Sequence, residues 1–339
     1  MQLNMAIEKY KRIRKIPVSM KRGIYTLAND AVYDELVALL NSIEINVSTS
    51  IPVCIIPYDD NLKLVRAEIK KRTNVFLFED YKSIEKWEKF SKEVWNAHPD
   101  AGRKKTWLSH GHTCRKFCIF DGPFDEFVFY DVDSLAMKPL DKVFAKLKKY
   151  DFVFDDWEHK KDKDILMLNL DLLQEKGFDI EKVKKEIHGF DFLGGKKNAF
   201  DENNDQIDSV VLKGLGAGDD VPLFNYLTLG KIKYNFTQSK NPRDRTGNCA
   251  NADPFVEKNH ILYNQEGMKP IHRIHFMGYG SGRFSRLAKG EDAGIPYQNV
   301  WLHYRFLKEQ ERMPKGLSKV GFIKKNLRQM LEICGRLRK

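Results

Sequence analysis

The chain has 339 residues, of which 42% are hydrophobic and 31% charged, with 22 glycines and 12 prolines; such a composition supports a sizeable packed core and excludes disordered, collagen-like and repeat architectures. The net charge of +11 points to nucleic acid only until it is located: residues 1–22 carry +6 and residues 315–339 carry +7, so the 292 residues between them sum to −2. A near-neutral body with basic tails and no aromatic or basic platform argues against a nucleic-acid partner.

In chain order, the basic leader (1–22) lacks the apolar stretch of a secretory signal, and no later run reaches the roughly 20 apolar residues of a membrane span, so a cytoplasmic location is expected. GIYTLA (23–28) reads as a strand, with Asn29 and Asp30 as cap candidates for a helix whose apolar stripe runs through Leu36, Leu39, Leu40 and Ile43. PVCIIP (52–57), a helix over 61–72, NVFLF (74–78) and an amphipathic stretch through Trp87, Phe90 and Val94 repeat the alternation. The pattern is βαβαβα, hence an α/β fold with a mostly parallel sheet covered on both faces. A loop at 97–105 leads to a predicted helix over 106–120. That segment holds His110, His112, Cys114 and Cys118, but their spacing matches no paired zinc-finger pattern. With Cys54, Cys249 and Cys334, the cysteines number five and are scattered, which reads as reduced thiols.

EFVFYDVD (126–133) reads as a buried strand ending in carboxylates, followed by a helix over 139–150 and the strand DFVFDD (151–156). From 157 the pattern is less regular: a short strand at DILMLNL, a helix near 171–188 and the turn-rich GGKKNAFDENND. The last ordered pieces are PIHRIHFMGYGSGRF (270–284), a strand entering a glycine-rich loop, and a helix around NVWLHYRFLKEQ. No repeat or linker divides the body, so residues 23–314 are expected to form one domain, with 23–156 the ligand-binding half and 157–314 the half shaping a second substrate.

The sharpest chemical signal is Asp131–Val132–Asp133. Alternation along a strand places Asp131 and Asp133 on one side at its carboxyl end, where open α/β sheets bind ligands. Two close carboxylates repel unless a cation lies between them, and hard oxygen ligands suit Mg²⁺ or Mn²⁺, which would in turn hold a diphosphate. In HRIHFM, Ile274 and Phe276 share one face and Arg273 and His275 the other, so His275 can present a neutral imidazole to a metal. Gly278, Gly280 and Gly282 free the backbone to aim N–H groups at anionic oxygens, with Arg283 and Arg286 nearby. Thr26, Ala28, Asn29 and Asp30 end the first strand, where their backbone and side-chain polar groups could hold a ligand by hydrogen bonds, or Asn29 and Asp30 could serve only as helix caps. Asp155 and Asp156 end another strand and could position an acceptor or act as general base.

This order of elements, with an apolar strand, Asp-x-Asp, then Lys-Pro-Leu and a helix, resembles the GT-A glycosyltransferases and, within them, glycosyltransferase family 8. The resemblance implies a nucleotide pocket formed by GIYTLAND and the following helix, and Mn²⁺ with the sugar-nucleotide diphosphate held by Asp131 and Asp133. GDDVPLFNYLT (218–228) is similar to the family's donor-sugar segment, which assigns catalytic roles to Asp220 and Asn225 alongside Asp156. IHFMGYG (274–280) is similar to the family's His-Phe-x-Gly motif, which makes His275 the third metal ligand and places Gly278 at the diphosphate. The family's lysine after that glycine falls on Ser281, with Arg283 two residues later as the nearest cation. The implied activity is transfer of a sugar, with retention, from a UDP-sugar to a carbohydrate or lipid-linked acceptor. Asp131-Val132-Asp133-Ser134-Leu135 also resembles the opening motif of haloacid-dehalogenase-type phosphatases, and a non-catalytic sugar-nucleotide-binding protein is a third alternative.

From Leu317 onward, apolar residues step by three or four through Leu337 with Lys and Arg on the other faces, an amphipathic basic helix over 315–339. It suits an anionic surface at the inner face of a membrane. The alternative is that its stripe docks on the body or on a second copy of the chain, giving a homo-oligomer.

Overall fold

The computed structural model describes residues 20–97, 111–155, 168, 170–197, 199–200, 220–236, 255–264 and 269–318. Its strands are β1 (Met20–Ala28), β2 (Val53–Pro57), β3 (Val75–Leu77), β4 (Phe124–Tyr130), β5 (Ser134–Ala136), β6 (Phe152–Phe154), β7 (Phe192–Lys196), β8 (Lys233–Asn235), β9 (Val256–Lys258), β10 (Ile261–Tyr263) and β11 (Arg273–His275). Seven of them form the central sheet in the order β3-β2-β1-β4-β7-β6-β8. All of its pairs are parallel except those of β7, which runs antiparallel to both β4 and β6.

The helices are α1 (Tyr33–Asn46), α2 (Lys63–Lys70), α3 (Tyr81–Ala97), α4 (Asp141–Leu147), α5 (Leu170–Glu175), α6 (Ile180–Glu186), α7 (Asp220–Leu227), α8 (Ser281–Ala288) and α9 (Gln298–Arg305). The predicted stripe of α1 is buried, and Leu36, Leu39, Leu40 and Ile43 pack with Ile24 and Ala28 of β1 and with Val128 and Tyr130 of β4. The opposite face of the same strands presents Tyr25, Leu27, Phe127 and Phe129 to Trp87 of α3 and to Phe117. Burial on both faces is why these strands read as unbroken apolar runs. A third core joins Leu135 and Ile274 to Phe284, Val300 and Trp301, and so fixes β5, β11, α8 and α9 as one unit against α1 through Ala38.

Four sequence expectations are corrected. The 106–120 segment is not an α-helix: residues Gly111–Phe120 form a 3-10 helix, and 98–110 lie outside the described residues. The single helix expected near 171–188 is two, α5 and α6, because Gly177 between them adopts φ +84°, which terminates a helix. The glycine pair read as a turn, Gly194 and Gly195, lies in the buried strand β7. A Cβ at Gly194 would sit 2.7 Å from the Val143 side chain, and one at Gly195 2.8 Å from the Phe127 ring. The glycines therefore admit close neighbours rather than break the strand. Finally, β4 ends at Tyr130, so Asp131 and Asp133 belong to a turn, closed by the Ser134 N–H donating to the Asp131 carbonyl at 3.1 Å, and strand alternation does not set their direction.

Cys54, Cys114 and Cys118 are buried free thiols. Burial pushes the Cys114 and Cys118 thiols up to about 12, which makes them unreactive. No helix among the described residues is long and apolar enough to cross a membrane.

Candidate functional site

β1 pairs with β2 on one side and β4 on the other, so the order of strands reverses between β1 and β4, the place where a crevice opens at the carboxyl edge of a parallel sheet. A cavity of about 600 Å³ opens there, a size suited to a small organic ligand. Ala28, Asn29 and Tyr58 line it beyond β1 and β2, Asp131, Val132 and Asp133 beyond β4, and Gly278, Tyr279, Gly280 and Ser281 beyond β11.

Asp131 and Asp133 line this cavity, and with His275 behind them they offer three ligand atoms all within 4.8 Å of one another. His275 reaches the pair because β11 runs antiparallel to β5, with His275 opposite Ser134, and the Phe276 N–H donates to the Asp133 carbonyl at 2.9 Å. His275 Nε2 lies 3.0 Å from Asp133 Oδ1, and its Nδ1 lies 3.4 Å from Asp191 Oδ2. The carboxylate on the second ring nitrogen fixes the orientation of the first, the usual support for a metal-binding imidazole. Burial lifts the Asp131 carboxyl to about 6, with Asp133 and Asp191 adding to the rise and Lys116 and His275 opposing it. Burial penalises Asp133 as well, but the charge and hydrogen bond of His275 hold it below the usual carboxylate range. Two carboxylates and one imidazole, converging from a turn and a strand, fit a divalent cation of the Mn²⁺ or Mg²⁺ kind. Among the described residues this is the one cluster of such groups.

Two cations escaped the sequence reading. Lys116, on the 3-10 helix, is nearly buried and bridges Asp131 Oδ1 at 2.9 Å and Asp220 Oδ2 at 2.8 Å, while donating to the Phe190 carbonyl at 3.2 Å. Burial disfavours its charge, yet the two carboxylates raise its pKa above the ordinary lysine value. Arg273 is fully buried; its Nε lies 3.0 Å from Asp155 Oδ2 and its Nη2 contacts Asp191 Oδ2. Asp191 therefore ties Arg273 to His275, and its carbonyl accepts the Asp131 N–H at 2.8 Å. The visible clue to Lys116 was a charge inside an apolar segment, Cys114 to Phe120; for Arg273 it was the face shared with His275.

The remaining expected residues separate. Ala28 and Asn29 line the cavity, and Asn29 donates to Asp59 at 2.9 Å while its Oδ1 accepts from the Ala31 N–H. Asp30 instead caps α2, its Oδ1 accepting from the Leu64 and Val65 N–H groups at 2.9 and 3.0 Å. Thr26 is fully buried in β1 and does not line the cavity. Gly278 adopts φ +82° at the cavity, a conformation glycine takes without strain, and Gly280 caps α8, whose first residue also lines the wall. Arg283 is exposed and lies over the Tyr279 ring at 5.4 Å rather than in the cavity. Asp220 joins the site through Lys116. Asn225 holds the backbone of His188, accepting from its N–H at 3.0 Å and donating to its carbonyl at 2.7 Å. Asp156 lies outside the described residues, as do His110, Cys249, Cys334, residues 1–19 and the terminal segment from 319.

The fold and this placement define a class: a mostly parallel sheet whose order reverses between β1 and β4, with the carboxylate cluster at that point, has the GT-A glycosyltransferase fold. WbbM, a bifunctional glycosyltransferase, aligns with 87% of this chain at 14% identity and a TM-score of 0.50. The galactosyltransferase LgtC, solved with donor and acceptor sugar analogues, aligns over 80% of this chain and 95% of its own at 14% identity and a TM-score of 0.47. Mouse xyloside xylosyltransferase 1 aligns over 62% of this chain and 82% of its own at 8% identity and a TM-score of 0.43. This chain spans about half the length of WbbM (52%). No family model and no curated protein matches the sequence.

Proposed function

We propose that this protein is a metal-dependent glycosyltransferase, akin to family 8, that moves a sugar with retention from a UDP-sugar to a hydroxyl of a carbohydrate or lipid-linked acceptor. One observation carries the reading: two carboxylates that line a cavity at the switch point of a GT-A sheet lie within 4.8 Å of each other and of a histidine. Asp131, Asp133 and His275 would hold Mn²⁺ or Mg²⁺, which supplies Lewis-acid neutralisation of the charge on a departing diphosphate.

The chain's own groups do the rest. The C1–O bond to the diphosphate breaks with its electron pair leaving on phosphate oxygen, and a new C1–O bond forms to the acceptor hydroxyl, whose proton passes to the departing phosphate oxygen or to the base candidate. Lys116 carries the nearest positive charge, and its bridge to Asp131 and Asp220 fixes both carboxylates before the donor arrives. Gly278, Gly280 and Ser281 offer backbone N–H groups along the wall where the related family carries a lysine. Ala28, Asn29 and Tyr58 take the nucleoside end; Asn225 acts as a positioning residue, and Asp156 is the base candidate on the acceptor side. We take residues 23–314 as one catalytic domain, and 315–339 as a helix for an anionic membrane surface or a second copy of the chain. Incubation with UDP-sugars and Mn²⁺ tests the reading: release of UDP supports it, and hydrolysis of a phosphomonoester instead would favour the phosphatase alternative.

A further inference from the structure

Glu35 lies in the first turn of α1, on the wall of the cavity that holds Asp131 and Asp133. It is 2% exposed, and its Oε2 has no hydrogen-bond partner. One hydrogen bond to its carboxyl comes from its own backbone N–H, and the charges that act on it belong to Asp34 and Asp133, both acidic. Desolvating a carboxyl costs several kcal/mol unless hydrogen bonds or a cation compensate, and a buried acceptor without a partner calls for a missing one. Helix packing alone would favour an apolar residue here, because the neighbouring buried positions of α1 are Leu36, Leu39 and Leu40.

The missing partner has identifiable chemistry. Lys116, the cation on the same cavity wall, is engaged by Asp131 and Asp220 rather than by Glu35. Glu35 shares the cavity wall with both Asp131 and Asp133, and the Asp133 charge acts on it. Glu35 lines the same cavity as Asp131 and Asp133 but is not one of the three groups whose ligand atoms lie within 4.8 Å of one another, so it is a candidate for contact with the ion through a bound water rather than for direct ligation. A divalent cation at the cluster would favour the ionised form of Glu35, which burial and Asp133 otherwise oppose, and attract it together with Asp133 to one charge.

Resting on the metal-centre reading above, we propose that Glu35 is an additional acidic group of that centre: it binds a divalent cation through an intervening water and so sets the affinity of the site for the ion before any nucleotide arrives.

The test is Mn²⁺ titration of the full-length protein without nucleotide, followed by the electron paramagnetic resonance signal of the free ion. Wild type, Glu35→Gln, Glu35→Ala and Asp133→Ala are compared, with UDP binding measured separately. Glu35→Gln keeps the shape of the side chain and removes its charge, so folding should survive; thermal unfolding of each variant checks this. Loss of an outer group typically weakens a metal site about 10- to 100-fold, and both Glu35 variants should show a weakening of that order while Asp133→Ala binds no ion. Wild-type Mn²⁺ affinity in both Glu35 variants, with binding lost in Asp133→Ala, would overturn the Glu35 proposal and leave the metal centre standing. Unchanged Mn²⁺ affinity together with weakened UDP binding would assign Glu35 to the nucleotide instead, which also overturns it. Failure of wild type to bind Mn²⁺ at all overturns both readings.

Discussion

Without metal, Glu35 should impose a pH dependence on stability that Glu35→Gln removes. Burial pushes this carboxyl from 4.5 to about 8, with Asp34 and Asp133 adding to the rise. The folded-state value is raised, so from pH 4.5 to 8 the folded chain keeps a proton that the unfolded chain has released. Stability is then fully present below 4.5 and is lost as pH rises through 8, by up to about 1.4 kcal/mol per pH unit and roughly 5 kcal/mol in all. Water entering the cavity lowers that ceiling, giving an expected total of about 2–5 kcal/mol. Glutamine cannot ionise, so wild type and Glu35→Gln should have similar stability at pH 5, and the variant should be the more stable by this amount at pH 8 and above. Urea denaturation in a chelator at one-unit steps from pH 5 to pH 9 reads the difference, in which the contributions of Asp131 and other titrating groups cancel. Parallel stability curves over that range would refute the assignment of Glu35 as a buried, unpaired carboxyl.

Asp133→Ala should abolish Mn²⁺-dependent stabilisation by UDP-sugars and sugar transfer while changing the melting temperature of the ligand-free protein little, since Asp133 sits in a turn rather than the core; retained Mn²⁺-dependent binding counts against it as a ligand. His275→Ala should weaken metal-dependent nucleotide binding less than Asp133→Ala, because a neutral ligand attracts a divalent ion less than a carboxylate does; equal or larger losses would contradict that order. Arg273→Met leaves Asp155 and Asp191 buried without this cation and should cost about 3–5 kcal/mol, seen as a melting point lower by roughly 5–8 °C. Adding Asp155→Asn should restore part of that loss, and an unchanged melting point in Arg273→Met would show that the network does not hold the site.

The parts of the fold legible in the sequence were those governed by local rules. The runs GIYTLA and EFVFY announced β1 and β4, and the stripe of α1 announced its buried face, because periodicity records burial directly. The two-faced split of HRIHFM was equally visible and is what carries Arg273 and His275 to one side. What was hidden depends on neighbours distant in sequence. Gly194 and Gly195 look like a turn until Val143 and Phe127 are seen pressing on β7. Asp30 carried the same cap signal whether its N–H partners were in the next turn or, as here, 34 and 35 residues away in α2. Lys116 and Glu35 look like ordinary helix-surface charges until the sheet brings Asp131, Asp220 and Asp133 beside them, and no spacing rule relates residues that far apart.

Donor turnover bears most directly on the central assignment. The full-length protein would be incubated with a panel of nucleotide sugars and Mn²⁺, and free nucleoside diphosphate quantified with and without candidate acceptors. A glycosyltransferase centred on Asp131, Asp133 and His275 should release diphosphate from at least one donor, UDP-linked first, and that release should disappear with chelator and with Asp133→Ala. Release that persists undiminished in Asp133→Ala, or no binding and no release with any donor in the presence of Mn²⁺, would contradict it.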